Sequence, residues 1–287
     1  VKIGPLLTAG LSVAAGLVGC AQHQFAAPTG ITALGPAGMG AAVVGTSRSV
    51  PAAEGASALE RLPPGVVRVS ADAGPSRRDA SGLVREMVRR WSQVRDYTAC
   101  MEKQEWLGAG PEAKPHQITE RVRLSPLCLH FKWTGEVNKD RSAVWVQGAH
   151  DGKMLIQPHP FFGVGRLWIA PDNLFAKTQS NYDFRDGGLQ GLMAALPKSL
   201  RENGTVWTYD GEGTADGRPT WRISGVDPTD DPREHNFMEL HVDQETLLPA
   251  YFVGRNRANR LNIWVCFRDV RTNIGLTDAD FDPETVR

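Results

Sequence analysis

Seven histidines, four cysteines and 32 acidic residues are the groups through which this sequence could do chemistry. Their spacing decides which chemistry is open to them. His150 and His159 stand near Asp151 and Asp172, yet no HExxH or other metal-ligand spacing occurs. The nucleophile elbow G-x-S-x-G and the phosphate-cradling P-loop are absent, and Gly163, Val164 and Gly165 make too short a run for a dinucleotide turn. Asp227, Asp230, Asp231 and Glu234 offer hard oxygen ligands, but not at the spacing of a calcium loop. These groups therefore read as hydrogen-bonded or solvated strand and loop residues, and no catalytic residue, metal ligand or cofactor is expected. Cys100, Cys128 and Cys266 lack CxxC spacing. Two of them could pair in an oxidising compartment and spacing does not select which, so the expectation is three small packing residues and no disulfide. Cys20 is different, because it closes a charge-free apolar run that begins at Ile3, behind the positive charge of Lys2.

That run is shorter than the roughly 20 apolar residues of a membrane-spanning helix and has the size of a secretory core. Its end, Leu17, Val18, Gly19 and Cys20, resembles the lipobox of bacterial lipoproteins, in which a peptidase cuts before a cysteine bearing a diacylglyceryl group. The resemblance implies a signal peptide over 1–19 and lipidation at Cys20. Ala21 after the cysteine, rather than Asp, favours the outer membrane by the same resemblance. An ordinary signal peptide with a chance cysteine, or a buried apolar helix, are the bland alternatives. The expected location is the cell envelope, on a lipid anchor, facing the periplasm.

From Ala21 to about Pro75 the sequence is dominated by Ala, Gly, Pro and Ser without a hydrophobic period. Such material buries too little apolar surface to offset the entropy of ordering it, so 20–76 reads as a flexible tether and 77–287 as the folded domain. Lys plus Arg and Asp plus Glu each number 32, and the bases are dispersed. Nucleic acid, which demands a concentrated basic face, is excluded as a partner. The densest bases, Arg77, Arg78, Arg85, Arg89 and Arg90, fall on the polar side of a helix.

The elements that must position any site follow from periodicity. Leu83, Val84, Met87, Val88 and Trp91 recur at helical spacing behind a cap at Asp79 or Ser81. Extended segments follow at 98–107 and 117–124. Leu127, Leu129, Phe131 and Trp133 then alternate with Cys128, His130 and Lys132, the period of a strand with two unlike faces. Further strands are expected at 143–147 and 153–157 around Asp151 and Gly152, and at 206–209 and 220–226 around Asp216 and Gly217. Others lie at 238–243, 250–254 and 261–270, where Leu261, Ile263, Val265 and Phe267 share a face. A second helix over 189–200 presents Leu189, Leu192, Met193 and Leu196 on one side. Nine or ten strands with two helices point to a large, curved antiparallel sheet packed by helices.

Arg123 to Pro126, the aromatic strand Phe131, Lys132 and Trp133, and the turn Asp151, Gly152 and Lys153 resemble the early hairpins of the LolA/LolB-like lipoprotein-carrier fold. Phe267 to Asn273, Gly275, Leu276, Asp280 and Phe281 resemble its last strand and closing Asn and Phe. The stretch 97–281 looks like a bacterial family known as a domain of unknown function, number fifteen seventy-one. The resemblance implies an α+β, mainly antiparallel fold: an incomplete, unclosed β-barrel of roughly nine to eleven strands with helices over the concave face. In the carriers that face takes up acyl chains. Leu127, Leu129, Phe131, Trp133, Leu189, Leu192, Met193, Leu196, Leu261, Ile263, Val265 and Phe267 are accordingly the candidate apolar cavity residues. The expected function is non-enzymatic binding or carriage of an acyl chain, lipid or lipoprotein. The alternative is an envelope scaffold whose core is filled by its own side chains and whose sheet binds a protein partner of unknown identity.

Overall fold

The computed structural model describes residues 66–68, 79–107, 110–111, 114–157, 165–173, 180–201, 204–228 and 235–284. Cys20, the expected signal peptide, the tether apart from residues 66–68, and His159, Asp230, Asp231 and Glu234 lie outside them.

The first helix, α1 (Ala80–Trp91), buries Ala80, Leu83, Val84 and Met87, as its spacing requires. Asp79 stands at the N-cap but makes no side-chain cap; its carboxylate instead takes the Arg85 guanidinium at 2.8 Å. Among the described residues thirteen strands run along the chain: β1 (Val66–Arg68), β2 (Asp96–Leu107), β3 (Gly110–Pro111), β4 (His116–Leu124), β5 (Leu127–Trp133), β6 (Ser142–Val146), β7 (Met154–Gln157), β8 (Leu167–Ile169), β9 (Val206–Ala215), β10 (Arg218–Val226), β11 (Phe237–Asp243), β12 (Pro249–Arg255) and β13 (Leu261–Thr272). The second helix, α2 (Gly188–Arg201), falls between β8 and β9.

All described pairings are antiparallel, and the strands form one sheet in the order β1-β9-β10-β11-β12-β13-β2-β4-β5-β6-β7-β8, with β3 paired to the end of β2. Two meanders, β4 to β8 and β9 to β13, are thus joined where β13 lies beside β2. Tight turns set the hairpins: Asp216 and Gly217 take φ of 51° and 75°, the left-handed pair that matches strand twist. Register shifts interrupt the ladders at Arg222/Ile223, His241/Val242, Gly254/Arg255 and Arg268/Arg271. Each inserts an unpaired residue that bends its strand, so the sheet curls. The end strands β1 and β8 are not paired with one another, and the barrel stays open.

The main core lies on the concave face, where both helices pack against the sheet. From α2 come Leu189, Met193 and Leu196, each almost wholly buried. A fully buried side chain of this size contributes about 1.5–3 kcal/mol. Two smaller apolar clusters occupy the other face, one around Tyr251, Val253, Trp264 and Cys266, the other around Cys128, Val144 and Phe281. Phe281 is brought there by the segment after β13. That segment is pinned by Asp96, whose carboxylate accepts from the amides of Ile274 (2.7 Å) and Gly275 (3.0 Å), and by Asn273, which accepts from the Arg95 amide at 2.8 Å.

Candidate ligand-binding site

A cavity of about 530 Å³ lies between the concave face, α2 and the segment 180–187 that leads into the helix. Cross-strand register arranges its sheet wall in rows. Ile156, Ala143, Phe131 and Glu120 form one row across β7, β6, β5 and β4. Trp133, Ile118, Met101 and Phe267 form the next, across β5, β4, β2 and β13. Then come His116, Lys103, Val265 and Phe252, and finally Glu105, Ile263, Gly254 and Met238. Apart from Glu120, which is sealed off under α2, the first two rows are apolar. The last two carry Lys103, His116 and Glu105, so the wall passes from hydrocarbon to polar along the strands.

The polar end is knit by side-chain contacts, with His235 Nδ1 left without a hydrogen-bond partner. Glu105 is 1 % exposed and forms an ion pair with Lys103. The same carboxylate accepts from the Ser180 hydroxyl at 2.7 Å and the Asn181 amide at 2.8 Å. Trp133 donates its indole N–H to His116 Nδ1 at 3.2 Å. The Tyr182 hydroxyl and His235 Nε2 are 2.6 Å apart. The His235 ring rests on Gly254, where an added Cβ would overlap it, and stands edge-on to Phe252 at 5.5 Å between centroids. Burial pushes the His235 imidazole down to about 4, opposed only by the Glu105 charge, and pushes the Tyr182 phenol up. Both are therefore neutral at neutral pH.

Under the start of α2, Glu120 is wholly buried. One of its oxygens accepts from the Tyr97 hydroxyl at 2.8 Å and the Leu189 amide at 3.3 Å; the other has no hydrogen-bond partner. Tyr97 in turn accepts from the Gln190 amide at 3.1 Å. The carboxylate thus meets the positive end of the α2 dipole. Burial still outweighs these bonds and pushes Glu120 up to about 7. Gly188, at φ 73°, passes so close that any Cβ would strike this carboxylate. The helix start is therefore fixed from the sheet, and with it the roof of the cavity.

Of the residues expected from sequence, Phe131, Trp133, Leu192, Leu196, Ile263, Val265 and Phe267 line the cavity. Leu129, Leu189 and Met193 are buried in the core and do not reach it, while Leu127 packs at the core's margin. Leu261 belongs to the cluster on the opposite face, away from Ile263, Val265 and Phe267. The reason is the shift at Gly254/Arg255: Arg255 pairs with Leu261 and Gly254 with Ile263, so one extra residue reverses the facing of Leu261. Tyr182, His235, Lys103, Glu105 and Glu120 belong to no motif and were not anticipated. One signal was available, since Ala99, Met101, Lys103 and Glu105 alternate along β2, and alternation alone places the last two beside the first.

Among the described residues no helix is long and apolar enough to cross a membrane, and no cluster of His, Cys, Asp and Glu has the form of a metal site. Cys100, Cys128 and Cys266 are free thiols.

Several solved structures are similar to this chain at low identity. Lipoprotein LppX of Mycobacterium tuberculosis is 12% identical, with 69% of this chain and 97% of that one covered and a TM-score of 0.43. A putative outer membrane lipoprotein-sorting protein domain from Vibrio parahaemolyticus is 9% identical over 72% and 97% of the two chains, with a TM-score of 0.36. A LolA superfamily protein from Nitrosomonas europaea is 7% identical over 70% and 98%, with a TM-score of 0.30. No curated protein matches the chain. Residues 94–286 match the model of the family described as "Protein of unknown function (DUF1571)", a span that runs from the residues just before β2 to beyond Phe281. The chain belongs to the DUF1571 family.

Proposed function

We propose that this chain is a lipid-anchored protein of the bacterial envelope that holds an acyl chain or lipid in the concave cavity, without catalysis. The observation that carries this reading is the cavity itself: about 530 Å³, walled by apolar rows and left unfilled by the helices above it. That volume falls within the roughly 300–1,000 Å³ of small-molecule sites. A scaffold with a self-filled core has no use for such a space. Burial of an acyl chain would contribute about 25 cal/mol for each Å² of apolar surface removed from water, less the cost of ordering the chain.

The test is to extract the purified full chain with organic solvent and to titrate it with a fluorescent fatty acid. Copurified lipid and saturable binding are expected; neither, in a folded protein, would sink the reading. The anchor is proposed at Cys20, on the apolar run before it. A diacylglyceryl cysteine carries two chains, which is what stable attachment takes, each buried CH₂ contributing about 0.8 kcal/mol. Mass spectrometry of the mature N-terminal peptide should find that modification, and an unmodified peptide would rule out the anchor while leaving the cavity reading intact.

A further inference from the structure

The Tyr182 and His235 side chains carry two hydrogen-bonding protons between them, one on the phenol and one on the neutral imidazole. Their mutual bond of 2.6 Å uses only one. If the phenol donates to Nε2, the imidazole proton sits on Nδ1, which has no partner. If Nε2–H donates to the phenol, the phenolic proton is the one left over. Nδ1 has no accessible surface and lies against Gly254, so the arrangement that offers the cavity a donor is the second, with the Tyr182 phenol spare and uncharged at the polar end.

The charges around that donor cancel. Lys103 is held by Glu105, whose oxygens are further saturated by Ser180 and Asn181. The other bases lining the cavity, Arg141 and Lys198, are matched by Asp186 and Asp227, and Asp183 is held by Arg185. A carboxylate drawn inside would therefore bury a charge with no surplus cation to meet it. An ester carbonyl asks for a single neutral donor, which is what the Tyr182 and His235 pair has to give.

We propose that the cavity selects a neutral acyl ester over a free fatty acid, with the ester carbonyl accepting the spare hydrogen bond of the Tyr182 and His235 pair. This rests on the acyl-binding reading above and narrows its ligand class.

The experiment compares three ligands of equal chain length below their micelle concentrations: a fatty acid, its methyl ester, and the matching ether, which lacks the carbonyl. Each displaces a fluorescent acyl probe from the full-length protein. The ester should bind about tenfold more tightly than either competitor, the effect of one hydrogen bond whose loss leaves a buried donor unpaired. Tyr182→Phe should abolish the ester's advantage over the ether, a ratio read within one protein, and Tyr182→Phe combined with His235→Leu should do the same. Independently of any variant, the infrared carbonyl band of a ¹³C-labelled ester should move to lower frequency on binding the unmodified protein. Tighter or equal binding of the acid, an ester no better than the ether, or an unshifted carbonyl band would overturn the proposal while leaving acyl binding standing. Failure of all three ligands to displace the probe would overturn acyl binding itself.

Discussion

A carboxylate that is wholly buried and half-satisfied, as Glu120 is, sets a pH signature that can be measured. Its ordinary value of 4.5 rises to about 7 on folding. Between these two values the native state holds a proton that the unfolded chain releases. The Glu120 contribution to stability is therefore full below about pH 4.5 and is lost as pH rises through 7. His130 and His235 act in the opposite sense. Burial lowers both from 6.5 to about 4, with Arg121 and Lys132 adding to the effect at His130, so the unfolded chain takes up protons first and stability is lost as pH falls through that window. Replacing Glu120→Gln removes only the first effect, since the amide oxygen can still accept from Tyr97 and Leu189. In urea unfolding, the variant should gain about 2–3 kcal/mol relative to the parent on going from pH 5 to pH 8. Parallel pH profiles for the two proteins would show that Glu120 is not neutral in the folded state. Lys103, on the adjacent strand, is the charge acting on Glu120 that opposes this shift, and the hydrogen bonds from Tyr97 and Leu189 oppose it as well.

At the scale of elements, legibility followed the strength of the periodic signal. Helix α1 and strands β5 and β11 carry a clear apolar period and each lies where that period places it, whereas β13 lies at its expected place although Ile263 to Phe267 are all apolar and its period is broken. Strands β9 and β10 extend beyond the expected 206–209 and 220–226, because Gly and Asp residues read as turn formers are drawn into the ladder by their neighbours. Strand β8 had no signal: three residues at the end of the sheet, with Leu167 and Trp168 more than 40 % exposed, satisfy no buried face that would impose alternation. The misplacement of Leu261 has the same origin as the curl of the sheet, since a bulge is invisible to a strict period of two. The closing Asn and Phe were visible only as a resemblance, and packing supplies their reason. Asn273 ties the end of β13 to the turn after α1, accepting from the Arg95 amide and donating to the Gln93 carbonyl at 3.2 Å, and Phe281 plugs the apolar cluster of Cys128 and Val144. Single polar residues such as Tyr182 and His235, which meet across 53 positions of sequence, leave no mark on a local pattern.

For the whole molecule, an open cavity under a helical roof couples ligand to stability by mass action. A ligand that binds only the folded chain stabilises it by about 2.7 kcal/mol at a concentration 100 times its Kd. For a domain of this size that corresponds to a rise of roughly 5–10 °C in Tm. The roof offers a way to separate the cavity from the fold. Leu192 projects from α2 into the space but is only partly buried, whereas its neighbours Leu189, Met193 and Leu196 hold the helix to the sheet. Enlarging Leu192→Trp should then occupy cavity volume with little strain on the core. Ligand-free, the variant should melt within a few degrees of the parent, because the anchoring residues are untouched; with a saturating acyl ligand, the parent's rise in Tm should vanish. Ala195→Leu, from a second cavity-lining position that is exposed on the same helix, should blunt the response in the same direction. A variant that melts like the parent and still shows the full ligand-induced rise would place the ligand elsewhere on the molecule, because a bulky ring at Leu192 and an acyl chain cannot share the same space beneath α2.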